Sequence, residues 1–209
     1  MKRRHHPPHA YLGGERMCSD FFSEERLKHW NSDYHTTNMG DSIAVPFAKY
    51  LDKFRDKDVL EIGPGDGRQA VWAWALVKSY SIADISENVL FDPVFKRDGL
   101  RRYLIESYKD DFKVQFDLIH FWYVLHHVLP SELPDFFGFV HRHSRGEIMF
   151  NTPYLDHPAP AYKDNGVLTS RHTIADVSRA TKGLFALVGT DGSLYRNSNG
   201  LIVFMRKEG

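Results

Sequence analysis

Val59-Leu60-Glu61-Ile62-Gly63-Pro64-Gly65-Asp66-Gly67 decides the fold. Val59, Leu60 and Ile62 make a short, β-branched apolar run of the kind that forms a buried parallel strand. Three glycines and a proline then turn the chain sharply. From Arg68 the residues QAVWAWALVK have helical composition, so a helix is expected over about 68–78. Strand, glycine turn and helix together form a layout suited to a nucleotide. A side chain in such a turn would block the approach of a ligand to the backbone, and glycine adopts positive φ at no steric cost.

Outward from this turn, apolar strands alternate with helical segments. The expected strands are 58–62, 80–86, 101–107, 116–121, 146–151, 183–190 and 200–206, with helices over 131–143 and 170–181. A strand–helix–strand unit with a short crossover implies parallel pairing and a right-handed connection. The last two strands are joined by DGSLYRNSNG, too short and turn-rich for a helix, so they should close as an antiparallel hairpin. The expected fold is α/β, a three-layer Rossmann-like seven-stranded mostly parallel sheet with an antiparallel terminal β-hairpin.

With 209 residues, one domain is expected over 18–209. Within it, 18–57 should form an N-terminal helical cover and 58–209 the binding core. Residues 1–17, basic and broken by Pro7 and Pro8, read as a flexible tail, and no chemistry is assigned to its His5, His6 and His9. Hydrophobic residues make up 42% of the chain and 27 basic residues balance 27 acidic ones, so bulk charge disfavours a nucleic-acid partner. No apolar run approaches the roughly 20 residues that span a bilayer. Cys18 is the only cysteine, which excludes an internal disulfide and points to a reducing, cytoplasmic setting. No metal set is expected, His120, His126, His127 and Asp156 being the nearest approach to one. Oligomeric state is open.

At three stations the segment from Asp58 to Met205 resembles the class I S-adenosylmethionine-dependent methyltransferases. Glu61 to Gly67 is similar to that family's acid-x-Gly-x-Gly-x-Gly turn. Ala83-Asp84-Ile85-Ser86 is similar to the acid ending its second strand. Phe116 to Ile119, running into Val124-Leu125-His126-His127-Val128, is similar to its fourth strand and the loop beside the methyl-transfer position. The resemblance implies S-adenosylmethionine as cofactor and S-adenosylhomocysteine as product. It implies cofactor contacts from Glu61, Gly63, Pro64, Gly65, Asp66, Gly67, Asp84, Ile85 and Ser107. Phe121 and Trp122, at the end of the fourth strand, read equally as walls of the cofactor pocket and as core aromatics. Asp84 is suited to accept both ribose hydroxyls, because a carboxylate has two oxygens and several lone pairs. Glu106-Ser107-Tyr108 departs from the usual Gly-Asp-Ala type of sequence, which weakens the adenine assignment there. A Rossmann dehydrogenase would need glycine where Arg68 stands.

A hydroxyl acceptor needs a base, and His126, His127 and His35 are the candidates. Tyr34, Tyr123 and Tyr154 are the candidates for contact with the acceptor, with 151–165 a long loop suited to a lid. Asn151-Thr152-Pro153-Tyr154 differs from the Asn-Pro-Pro-Tyr motif of amino-group DNA methyltransferases in its second residue, and it follows the fifth strand where that motif follows the fourth. A small-molecule acceptor is expected, a sugar or metabolite hydroxyl first. N-methylation of a protein or nucleic acid, and a non-catalytic module that binds S-adenosylmethionine, stay open.

Overall fold

The computed structural model describes residues 48–153, 159–164, 167–192 and 200–209. The expected tail, and the expected cover as far as residue 47, lie outside the described residues. The elements are β1 (Asp58–Ile62), α1 (Arg68–Ala73), β2 (Ser79–Asp84), α2 (Glu87–Leu90), β3 (Arg101–Leu104), β4 (Phe116–Phe121), α3 (Leu133–His143), β5 (Ser144–Pro153), β6 (Ala159–Asp164), β7 (Val167–Arg171), α4 (Ile174–Ala180), β8 (Phe185–Asp191) and β9 (Gly200–Lys207).

Seven strands form one sheet in the order β3-β2-β1-β4-β5-β9-β8. β3 to β5 are mutually parallel, and β9 runs antiparallel to both β5 and β8. The last strand therefore turns back and fills the place beside β5, as the short final connection requires. Because both faces of the parallel strands are covered, they are largely apolar on both sides. One core, with Leu60, Ile62, Ile119, Phe121 and Phe150, lies against α3, whose Leu133, Phe136, Phe137 and Val140 recur at helical spacing. The other holds Phe54, Val59, Tyr80, Ile82, Leu118, Trp122 and Met149. Lys207 Nζ ends α3 by donating to the carbonyls of His141 (3.0 Å) and Ser144 (2.7 Å), so a cation faces the negative end of the helix dipole.

Several segments differ from the sequence expectation: β3 stops at Leu104 and β5 extends over Ser144–Pro153. α1 stops at Ala73, because Asp56 N–H bonds to Leu76 O (2.9 Å) and Lys78 N–H to Lys57 O (3.0 Å), pulling the chain back to start β2. α4 starts only at Ile174, where Thr173 and Asp176 form a reciprocal capping box. Within the expected lid loop, residues 159–164 pair with 167–171 as a separate antiparallel ribbon. No helix among the described residues is long and apolar enough to cross a membrane.

Candidate cofactor and methyl-acceptor site

The glycine turn caps the carboxyl end of β1, at the centre of the sheet. Gly63, Gly65 and Gly67 have φ of 67°, 54° and 78°, all in the left-handed region that side chains disfavour. Gly63 N–H donates to Ala83 O at 2.9 Å, which ties the turn to β2. A Cβ on Gly63 would lie 2.5 Å from Val124 Cγ2, and one on Gly67 would lie 3.0 Å from Phe95 Cε1. Among the described residues nothing comes within 4 Å of a Cβ placed on Gly65, so none of them stands against the backbone there. Pro64 is buried, and Asp66 is half-buried at the rim.

Asp84 ends β2 beside this turn. Its Oδ1 accepts from Ser86 N–H at 2.8 Å, and its carbonyl accepts from Ile105 N–H at 2.8 Å, so the turn that follows it and the end of β3 both hold it. Ser86 in turn caps α2. Burial, opposed by the N–H groups of Ser86 and Ile85, raises the Asp84 pKa to about 7. Asp84 keeps an exposed edge that water reaches, whereas Glu61 is sealed at 1% exposure. Burial raises Glu61 to about 8, against the donated Tyr80 hydroxyl at 2.8 Å and with the charges of Asp66 and Asp84 adding to the rise. A carboxyl with an accessible edge beside a main-chain hollow suits a ligand that bears hydroxyls and can lie against backbone. S-adenosylmethionine is such a ligand, so the residues present fit it.

Ser107 is half-buried in a self-contained turn. Asp110 Oδ2 accepts from the N–H groups of Glu106 (2.8 Å) and Ser107 (2.9 Å), and Ser107 Oγ accepts from Lys109 N–H (3.1 Å). Phe121 and Trp122 lie in the two cores. Phe121 is fully buried and stacks on Phe150 with ring centres 4.8 Å apart, while Trp122 is 5% exposed and donates its indole N–H to His120 Nδ1 at 3.0 Å. Consecutive strand residues point to opposite faces, and here both faces are covered.

Tyr123 follows in the left-handed region, with φ 57°, and its N–H donates to the buried Asn151 Oδ1 at 2.6 Å. A non-glycine residue held there stores strain, which tends to gather at functional sites. The Tyr123 ring meets His126 edge-on at 5.7 Å, and the His126 and His127 rings are 3.9 Å apart. His126 is half-buried and His127 buried. The short 3₁₀ turn carrying them, Leu125–His127, is pinned by buried His172, whose Nε2 lies 2.9 Å from both Leu125 O and Val128 O. Burial, with His172 nearby, pushes the pKa of His126 down to about 3.

The turn residues, Asp84, Ile85, Tyr123, Val124 and His126 thus gather at the carboxyl ends of β1, β2 and β4. Tyr34, His35 and Tyr154 lie outside the described residues, as do Asp156 and His157. Among the described residues no group of three His, Cys, Asp or Glu is placed to hold a metal ion. Sequence reading passed over Tyr80, Asn151 and His172 as site residues. Polar groups inside or beside apolar strands were the available signal.

A family model described as "Methyltransferase domain" matches residues 35–189. No curated protein matches the chain. Among solved structures, the chain is similar to the 1,6-didemethyltoxoflavin-N1-methyltransferase of Burkholderia thailandensis, crystallised with 1,6-didemethyltoxoflavin and S-adenosylhomocysteine. That likeness has a TM-score of 0.67 at 20% identity, over 87% of this chain and 84% of that one. The magnesium protoporphyrin IX methyltransferase of Synechocystis PCC 6803, with bound S-adenosylmethionine, is similar with a TM-score of 0.65 at 13% identity, over 93% of this chain and all (100%) of that one. An S-adenosylmethionine-dependent methyltransferase of Clostridium acetobutylicum ATCC 824 gives 0.60 at 14% identity, over 88% and 96%. These likenesses establish the fold, the family model covers most of the chain, and the protein belongs to the class I S-adenosylmethionine-dependent methyltransferases.

Proposed function

We propose that the protein transfers a methyl group from S-adenosylmethionine to a small acceptor, releasing S-adenosylhomocysteine. The observation that carries this reading is the glycine turn bonded to the end of β2 beside the Asp84 carboxyl, Gly63 N–H to Ala83 O at 2.9 Å. Asp84 would accept the ribose hydroxyls, and the backbone of 63–67 would receive the aminoacyl end, with Glu61 beneath it. Pro64, Asp66, Ile85 and Ser107 would line the remainder. The cofactor supplies an already activated methyl on its sulfonium, so the protein's own work is to align the acceptor and exclude water. Residues 18–57 are assigned the role of a cover over this pocket, with Tyr34 and His35 among them, and a cytoplasmic setting fits the single cysteine.

A sugar or metabolite hydroxyl would have to lose its proton as it attacks. His126, with a pKa pushed down to about 3, is neutral but a weak base. An acceptor atom that arrives with a free lone pair, such as a ring nitrogen or an ionised oxygen, fits this residue better. The two relatives that act on 1,6-didemethyltoxoflavin and magnesium protoporphyrin IX support a small acceptor. Release of S-adenosylhomocysteine is to be followed at pH 7 across ring-nitrogen, carboxylate and sugar acceptors. Turnover confined to the first two classes is expected. A sugar alcohol methylated at a rate that rises through a pKa near 6.5 would instead restore a hydroxyl acceptor and a histidine base.

A further inference from the structure

A continuous hydrogen-bonded chain links three adjacent strands, β2, β1 and β4, on one face of the sheet. Trp122 Nε1–H donates to His120 Nδ1 at 3.0 Å, His120 Nε2 lies 2.9 Å from Tyr80 Oη, and Tyr80 Oη–H donates to Glu61 Oε2 at 2.8 Å. An indole nitrogen can only donate, so His120 Nδ1 must accept. Burial pushes the pKa of His120 down to about 3, so the ring is neutral and its proton sits on Nε2. Tyr80 then accepts from His120 and donates its own O–H to Oε2 of the Glu61 carboxyl. Every donor points the same way, and the chain ends under the glycine turn.

The strand register builds this arrangement. Glu61 pairs with His120 on β4 and with Ile82 on β2, and alternation brings Tyr80, two residues before Ile82, to the same face. Glu61, Tyr80, His120 and Trp122 are all buried. Phe54 meets His120 edge-on at 5.0 Å, and Trp74 meets Tyr80 edge-on at 6.4 Å, closing the chain off from the side. Apolar residues at 80 and 120 would fill this layer without any cost of desolvating polar groups. A polar chain that ends on a site carboxyl has a further use.

We propose that Tyr80 and His120 are positioning residues for the cofactor, holding the Glu61 carboxyl in one orientation under the Gly63–Gly67 turn and so setting the affinity of that turn. The inference rests on the S-adenosylmethionine reading. Calorimetric titration with S-adenosylhomocysteine tests both in one double-mutant cycle of wild type, Tyr80→Phe, Glu61→Gln and the double variant. Tyr80→Phe should weaken binding about tenfold in the wild-type background and less than about twofold beside Glu61→Gln, because the hydroxyl acts through that carboxyl. Equal losses in both backgrounds, or no loss in either, would overturn the positioning role. A wild-type protein that does not bind S-adenosylhomocysteine would overturn the cofactor reading itself. If Tyr80→Phe does not fold, His120→Leu takes its place in the cycle under the same criteria. His120→Gln, which keeps an N–H donor, should bind closer to wild type than His120→Leu; the reverse order would count against the chain.

Discussion

The cofactor half of the site and the acceptor half are built by different means. Around the glycine turn the main chain does the work: three glycines at positive φ, with backbone bonds from Gly63 to Ala83 and from Ile105 to Asp84, lock β1, β2 and β3 together. Past β4, side chains do it. Asn151 holds Tyr123 in a strained conformation, and His172 pins the turn that carries His126. A scaffold made by the main chain tolerates wide sequence change, consistent with a shared fold at 13–20% identity. A turn held by a few side chains can be rebuilt by changing those few, which is the freedom that new acceptors require.

The two halves meet where Gly63 abuts Val124, and Gly63→Ala should break the arrangement most. The new methyl would sit 2.5 Å from Val124 Cγ2 on a residue with φ 67°. Strain and overlap together should cost about 2–4 kcal/mol in urea unfolding. Adding Val124→Ala should recover the steric part and leave the backbone part. Full recovery would mean that φ at 63 carries no strain.

Next in size is Asn151→Leu, which leaves the Tyr123 N–H without its acceptor at a cost of about 1–3 kcal/mol. Turnover should fall while S-adenosylhomocysteine affinity stays within about twofold, if the halves are as separate as their construction implies. An equal loss of both would merge them.

The smallest effect is a pH drift. Glu61 and Asp84 keep their protons in the fold up to about 8 and 7, against ordinary values of 4.5 and 3.8. Their contribution is complete below those ordinary values and is lost as pH rises through 7 to 8. His120 and His126, lowered to about 3, act oppositely: the unfolded chain takes up their protons below 6.5, so acid destabilises the fold. Between pH 6.5 and 8 only the two carboxyls of these four groups act, and the Tm of the free protein should fall by a few degrees over that window. Glu61→Gln should flatten the slope; an unchanged slope would place its origin elsewhere.

The parts of the molecule readable from sequence are those fixed by backbone chemistry. Glycines at 63, 65 and 67, a short apolar run before them, Asp84 at the next strand end and a turn-rich final connection specify the turn, the parallel order and the closing hairpin. What was not readable depends on partners far along the chain. Phe121 and Trp122 read equally as pocket walls and as core aromatics, and only the packing of both sheet faces shows which neighbours each has. The basicity of His126 is set by burial and by His172, and the link from Glu61 to His120 by the register of β1 with β4. The ribbon formed by β6 and β7 lies in a proline-bearing segment whose sequence reads as loop.

Binding of S-adenosylhomocysteine to wild type and to Asp84→Asn, measured by calorimetry at pH 8 where the carboxyl is ionised, addresses the central claim most directly. One molecule should bind per chain, and the variant, still folded, should bind at least about tenfold more weakly through loss of charged hydrogen bonds. Equal affinity in the two proteins would contradict the account, because the ribose would then be held by something other than the acid at the end of β2.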